Sequence, residues 1–582
     1  MPLTIYGGYM NTDNIAQLLD FIYGTQGREI LPAVTGILEQ FRKANDFSGV
    51  DAPRISNRDA FLICYGDMLS AKEKTGETGL SRLHRFMKQY NANDFSWLHL
   101  LPFHPYSSDD GFSVIDYSQV DTKQGTWDDI AALGKDFKLT FDFVINHGSV
   151  QSEWFTQFLA GEDACKNRYV TRPADYDSSK VVRPRTHPLL TAFTKKDGSP
   201  VHVWTTFSAD QVDYDFSDPG TLLEFIRVFL DYCRRGGQML RLDAIAYLWK
   251  EDGTPCLHHP KTHAMVRLLR AIGDCLGLPL LLLTETNVPH KENLSYFGGA
   301  FSLEAGCPDF DESHLVYNFA LPPLVLHAAV SGNAEPLRKW AQGLPALPGG
   351  KCFLNFLASH DGVGLTPAKG LVDEADFAQT LETAKGRGAL VSMKSTPQGP
   401  IPYELNCNWA DMVAPASMGT PEVQARAFLA TYAAALSLPG LPAVYFHSWI
   451  GSRAWKEGPA LLSANRAINR EKPAIETVES EIREPGSFRS LVMNGFHVLF
   501  DFRKAYECFS PECPCSVLAA SGGIFALQRD APDGGVKVVA IENFSSAQGT
   551  VDIPPLGSVS VNAHGIRWIA FDQNGILHEL LL

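Results

Sequence analysis

The stretch Gln238-Met-Leu-Arg-Leu-Asp-Ala-Ile245 is an apolar run broken by one arginine and one aspartate. In an extended strand side chains alternate, so Arg241 and Asp243 fall on the same side, two residues apart. Two charges at the end of a buried strand are costly unless they satisfy each other or do chemistry. Alone, the pair reads equally well as a structural ion pair. The surrounding sequence decides the matter.

Further apolar runs of strand length lie over residues 60–65, 96–103, 139–147, 280–286, 315–320, 352–360 and 441–446. Helical spacing appears between them, over 222–234, 263–276 and 425–436. Eight buried strands alternating with helices predict a (β/α)8 TIM barrel, an α/β fold. Two gaps are too long for simple crossovers and read as inserted subdomains. The chain then divides into a helical N-terminal extension (1–57), a barrel (58–146, 217–361 and 420–506), two lids (147–216 and 362–419) and a C-terminal antiparallel β domain (507–582). In the extension, 14–22 and 30–41 carry apolar residues at helical spacing, with Pro32 expected in a first turn. In the tail, strands are expected over 523–528, 536–541, 549–553 and 566–571.

Composition bounds the function. The 582 residues are 45% hydrophobic and 11% aromatic, which excludes a mostly disordered chain. The net charge of −15 is the opposite of a nucleic-acid surface. It also means that an anionic substrate must be held by a local cluster of arginines. Eleven scattered cysteines, an odd number in a long chain, argue against a disulfide framework. Cys508, Cys513 and Cys515 lack a second pair at zinc-ligand spacing and read as free thiols. The N-terminus has no basic region followed by an apolar run, and no stretch approaches a membrane span. A cytoplasmic protein with no membrane or nucleic-acid partner is expected, and a homodimer is compatible with the sequence.

In such a barrel the chemistry lies at the C-terminal ends of the strands. Polar residues collect there: Asp109-Asp110-Gly-Phe112 after the second strand, Asn146-His147 after the third, Arg241 and Asp243 on the fourth, Glu285 on the fifth, and His360-Asp361 on the seventh. Carboxylates at three separate strand ends, with two histidines and an arginine, are hard to explain as packing.

These residues carry a resemblance. The motifs Asp142-Phe-Val-Ile-Asn-His147, Leu240-Arg-Leu-Asp-Ala244, Thr284-Glu285 and Ala358-Ser-His-Asp361 resemble, in order, four motifs of the α-amylase clan, glycoside hydrolase family 13. Arg183-Pro-Arg185, Phe319-Ala-Leu-Pro-Pro323, Ser359-His-Asp-Gly-Val-Gly364, Asn465-Arg466 and Ile468-Asn-Arg470 look like its sucrose phosphorylase branch.

The resemblance implies a retaining double displacement. Asp243 matches the nucleophile, Glu285 the general acid/base and Asp361 the transition-state stabiliser. Asp109, His147, His360 and Arg466 match glucose-binding positions, with Asp109 and Arg466 at the far end of the sugar. Phe112 and Tyr247 match apolar platforms, and Arg241 would orient and ionise Asp243. Arg185 and Tyr403 match the branch's phosphate-binding positions, and Glu404 and Asn287 are grouped with them as phosphate or acceptor contacts. Neither a metal nor a cofactor is implied, inorganic phosphate being a co-substrate and glucose 1-phosphate a product.

Glu404, where sucrose phosphorylases carry glutamine, and Thr286-Asn287 after the acid/base look more like phosphorylases of glucosylglycerate and related small glucosides. Sucrose, sucrose 6′-phosphate and glucosylglycerol remain alternatives for the glucoside. Arg183, Arg185 and Lys250 are the cations available for an acidic acceptor. A small-substrate α-glucosidase or transglucosylase, and a non-catalytic barrel, are the competing readings.

Overall fold

The computed structural model describes residues 11–73, 76–298, 311–347, 350–396 and 399–582. The first ten residues of the N-terminal extension and Cys307 lie outside them.

Eight parallel strands close a barrel: β1 (Phe61–Cys64), β2 (Trp97–Leu100), β3 (Lys138–Phe143), β4 (Gly237–Leu242), β5 (Leu281–Thr284), β6 (Leu315–Tyr317), β7 (Cys352–Asn355) and β8 (Leu441–Tyr445). Their order around the barrel follows the chain, with β1 closing against β8. Nearly every strand residue is buried, because helices cover the outer face while side chains fill the interior. That double burial is why the strands read as unbroken apolar runs.

Several strands are shorter than their apolar runs. β7 ends at Asn355, and Phe356-Leu-Ala358 continues as buried loop. The third run ends at Phe143; His147–Ser149 is a separate short strand, paired antiparallel with Gln211–Asp213. That pairing anchors the first insertion, which also holds the helix Glu153–Ala160 and a hairpin of Leu190–Thr194 with Pro200–Trp204. After β7, a three-stranded antiparallel sheet runs Val363–Gly364, Ile401–Asn406, Leu390–Lys394 in spatial order. It suspends Tyr403 and Glu404 over the barrel mouth.

Asp13–Tyr23 and Thr25–Ala44 are helices that pack on the barrel helices Pro260–Leu276 and Pro219–Arg234. Pro32 lies inside the second helix rather than in its first turn, since that helix begins five residues earlier than its apolar spacing shows. The Tyr23 hydroxyl donates to the Phe216 carbonyl at 2.8 Å, tying the pair to the end of the first insertion.

The tail forms a five-stranded antiparallel sheet of Cys515–Val517, Ile524–Asp530, Lys537–Asn543, Ile566–Asp572 and Gly575–Leu581. Strand alternation gives it two apolar faces. Phe525, Leu527, Val538 and Ala540 join the barrel core; Ile524, Ala526, Val539 and Ile541 pack under the hairpin Gly549–Ile553/Gly557–Val561.

Glu542 is fully buried in this sheet. One carboxylate oxygen accepts a 2.7 Å bond from Trp568 Nε1, and the other has no partner among the described residues. Burial raises its pKa from 4.5 to about 8. The folded state therefore keeps a proton that the unfolded chain releases, so stability falls as pH rises from about 4.5 towards 8. Glu542→Gln keeps the acceptor and removes the titration. It is expected to raise Tm by several degrees at pH 9 and to change it little at pH 5, as read by thermal melts.

Candidate active site

The C-terminal ends of the barrel strands open into one cavity. Asp109, Phe112, His147, Arg185, Arg241, Asp243, Tyr247, Glu285, Asn287, His360, Asp361, Tyr403 and Arg466 all line it. Of the candidate site residues named from sequence, Glu404, Arg183 and Lys250 are outside this wall, and Glu404 lines the adjoining opening.

Arg241 is the electrostatic hub. It projects from β4, is 1% exposed, and bonds Asp142 on β3 as well as Asp243 at 2.8 Å. Asp142 is held in turn by His99 Nε2 at 2.8 Å. The guanidinium also lies 5.6 Å from the ring centres of Phe112 and Tyr317. Such a fork cannot swing, so it fixes Asp243.

Glu285 follows β5 directly. Its Oε2 accepts the Ala244 backbone N–H at 3.0 Å, which places it beside Asp243, and it stands 4.0 Å from Arg241. Burial pushes both carboxyls upward; Glu285 adds to the rise at Asp243, and Asp361 adds to the rise at Glu285. They titrate as a pair. Arg241 opposes the rise in contact at Asp243 and only from 4.0 Å at Glu285, so the proton they retain sits on Glu285.

Asp361 is different. Burial would raise it, but Arg466, Arg470, Arg241 and Arg185 outweigh burial and hold it below the ordinary carboxylate range. Arg466 reaches Asp361 at 2.5 Å and grips Glu404 with two bonds of 2.9 and 2.8 Å. Asp109 faces Arg470 at 3.5 Å rather than Arg466. The far end of the cavity is thus a ladder of alternating charge.

The walls are aromatic and neutral. Phe112 stacks on His360, with centroids 4.9 Å apart and planes at 3°. Burial, followed by Arg470 and Arg241, keeps His360 uncharged, and burial does the same for His147. His147 Nε2 lies 3.0 Å from the Phe112 carbonyl and 3.1 Å from Gln211 Nε2. Tyr247 meets Phe207 edge-on at 5.4 Å. Non-glycine residues with left-handed backbone ring the cavity: Asp109, Asp110, Ala244 and Asn287 have φ between 47° and 51°. Strain of this kind concentrates where side chains must be aimed.

At the mouth, Arg185 lies 5.6 Å from the Tyr403 ring centre and 5.7 Å from that of Phe207. Its Nη1 donates to the Pro184 carbonyl at 3.2 Å, and it forms no ion pair among the described residues. Asn287 Nδ2 donates to the Tyr403 hydroxyl at 3.1 Å. Lys250 is buried against Asp213 and Asn146, each at 2.7 Å, and Arg183 donates to the His187 carbonyl. Arg185 is therefore the free cation of the three named from sequence.

Arg470, Phe207, Gln211 and Tyr317 also shape the site, and sequence reasoning gave none of them a role. Arg470 carried a signal within Ile468-Asn-Arg470, and Phe207 one within Val203-Trp-Thr-Thr-Phe-Ser208. Among the described residues, one cluster has metal-ligating spacing: Asp94, His497 and Asp501, outside this cavity. Lys504 Nζ sits 3.0 Å from Asp501 and 3.6 Å from Asp94, and already supplies a cation there.

Comparison with known proteins identifies the family. Residues 94–343 match the alpha-amylase catalytic domain model. The chain is 45% identical over 539 residues to glucosylglycerate phosphorylase of Spirochaeta thermophila, covering 92% of this chain and 89% of that one. The chain belongs to the α-amylase family, glycoside hydrolase family 13. Within this family it is also 40% identical over 477 residues to glucosylglycerate phosphorylase of Escherichia coli, covering 82% and 83% of the two chains. The fold matches that of sucrose 6F-phosphate phosphorylase from Thermoanaerobacter thermosaccharolyticum, with a TM-score of 0.75 at 22% identity, covering 92% of this chain and all of that one. The family membership and the barrel architecture derived from sequence both hold. No helix among the described residues is long and apolar enough to cross a membrane.

Proposed function

We propose that this family 13 enzyme is a retaining α-glucoside phosphorylase that transfers glucose reversibly between 2-O-α-glucosylglycerate and phosphate. The observation that carries the reading is Arg185, a guanidinium without a carboxylate partner among the described residues, at the mouth of a cavity holding Asp243, Glu285 and Asp361. A dianion approaching three carboxylates needs such a charge. The substrate assignment is supported by the two relatives named glucosylglycerate phosphorylase.

Asp243 attacks the anomeric carbon while Glu285 protonates the departing glycerate oxygen, giving a β-glucosyl ester on Asp243 and free glycerate. Asp361 stabilises the oxocarbenium-like transition state through the sugar hydroxyls. Phosphate, held by Arg185, Tyr403 and Asn287, then attacks the same carbon from the vacated face. The Asp243–glucose bond breaks and α-glucose 1-phosphate leaves. Two carboxylates and an anionic second substrate suffice, so the reaction uses no cofactor.

The test is a panel of acceptors offered with glucose 1-phosphate: glycerate, glycerol, fructose and fructose 6-phosphate. Phosphate release with glycerate is expected to exceed release with the other three by at least about tenfold, the effect of one lost charge-assisted contact. Preference for fructose or fructose 6-phosphate would move the enzyme to a sucrose-type glucoside, and glucose release without phosphate turnover would make it a glucosidase.

Arg185→Ala is expected to lower kcat/KM for phosphate by about 10- to 100-fold while hydrolysis of the glucosyl enzyme changes little. Parallel phosphorolysis and glucose-release assays check this. Equal losses in both would remove phosphate binding from Arg185.

A further inference from the structure

Glu404 sits on the lid strand Ile401–Asn406, next to Tyr403; its carboxylate is bound by Arg466 and the Gly362 backbone, which line the same cavity as Tyr403, and Glu404 itself lines the adjoining opening with Asp109 and Arg185. It is 1% exposed. Both oxygens are taken by Arg466, at 2.9 and 2.8 Å, and one of them also accepts the Gly362 backbone N–H at 3.0 Å. Gly362 adjoins Asp361, and the third nitrogen of Arg466 reaches Asp361 itself at 2.5 Å. Glu404 thus holds Asp361 from two directions, by the side chain of Arg466 and by the backbone of the next residue.

The fit is specific to a carboxylate this close. A Cβ on Gly362 would lie 2.6 Å from Glu404 Cγ and 2.7 Å from the Leu405 carbonyl, so position 362 admits only glycine. Glutamine could accept one N–H from Arg466 but would turn an NH2 towards the other, setting donor against donor. Arg466 outweighs burial and keeps Glu404 below the ordinary carboxylate range, so the pair is ionic.

We propose that Glu404 is a positioning residue: it fixes Arg466 and the Gly362 backbone, and through them the orientation of Asp361, and it couples the lid that carries Tyr403 to the glucose-binding end of the site. It does not contact phosphate or the acceptor. The inference rests on the glucosyl-transfer reading above.

The test uses the full chain and α-glucosyl fluoride, whose fluoride release reports formation of the Asp243 ester before any acceptor is involved. The C1–F bond breaks, the Asp243 oxygen–C1 bond forms and fluoride departs. Glu404→Gln is expected to lower the single-turnover rate of fluoride release by about 10²-fold, the effect of misplacing a transition-state group by about an ångström. KM for glycerate and for phosphate is expected to stay within about threefold. Glu404→Asp, which keeps the charge on a shorter arm, should recover part of the loss.

In an Asp361→Asn background Glu404→Gln should add nothing, because it acts through Asp361. Melting curves establish that each variant is folded. If Glu404→Gln does not fold, Arg466→Lys, a cation that cannot be gripped at two points, is expected to reproduce the loss. Unchanged fluoride release with a raised KM for glycerate alone would overturn the inference and return Glu404 to the acceptor site. Multiplicative losses in the double variant would overturn it too. Absence of fluoride release from the unmodified enzyme would instead overturn the glucosyl-transfer reading itself.

Discussion

Asp243→Asn is expected to abolish glucosyl transfer in both directions, with kcat falling by about 10⁴-fold or more, the scale seen when a member of a covalent catalytic unit is removed. The fold should survive. Asparagine can still accept the 2.8 Å bond from Arg241, and Arg241 keeps Asp142 as its counterion. One carboxylate fewer in a buried cluster also relieves repulsion among Asp243, Glu285 and Asp361, so Tm should hold or rise. With Asp243→Gly, azide is expected to restore turnover of α-glucosyl fluoride by attacking from the face that the carboxylate occupied, giving β-glucosyl azide. Initial rates, thermal melts and the anomeric configuration of the azide check these three statements. A variant at position 243 with near-normal rates would remove this residue from the chemistry.

Glu285→Gln should divide reactions by their need for a proton. Cleavage of glucosylglycerate expels an alkoxide, so loss of the acid is expected to cost about 10²- to 10⁴-fold. Glycerate as acceptor needs the same group as a base and should suffer equally, by microscopic reversibility. Fluoride leaves without protonation and phosphate attacks as an anion. Synthesis of glucose 1-phosphate from α-glucosyl fluoride should therefore fall by less than about tenfold.

The pH profile follows from the same group. Burial raises Glu285, so the unmodified enzyme keeps the acid form above the ordinary carboxylate range. Phosphorolysis of glucosylglycerate should fall as pH rises through that raised pKa, and Glu285→Gln should lack this limb. Uniform losses across all donors and acceptors would assign Glu285 to binding rather than proton transfer.

The barrel could be read from sequence because parallel strands covered on both sides appear as short, continuous apolar runs. Each reading failed where burial outlasts the strand. Phe356 and Leu357 are as buried as β7 itself, but they lie in a loop beneath the second lid. The strand Gly575–Leu581 was missed for the opposite reason. It is an outer strand with residues 575–579 all exposed, so no alternation marks it.

Asp243, Glu285 and Asp361 stood out because each interrupts or ends an apolar run of the sequence. The contacts between charges did not. Arg466 is 62 positions from Glu404, and Arg470 is 361 from Asp109. Nothing in a linear chain says which arginine is spent on a structural pair and which, like Arg185, forms no ion pair among the described residues. Glu404 drew attention because it stands where sucrose phosphorylases carry glutamine, and nothing in the chain announces its pairing with Arg466.

In this mechanism glucose passes through Asp243 to phosphate with two inversions at one carbon. The most direct measurement is proton NMR of the first glucose 1-phosphate formed from 2-O-α-glucosylglycerate and phosphate, before any slow equilibration. The α-anomer is predicted, with glycerate released in equal amount. The β-anomer would mean a single displacement with no ester on Asp243, and free glucose in place of the phosphate ester would mean that water, not phosphate, resolves the intermediate; either result contradicts the mechanism.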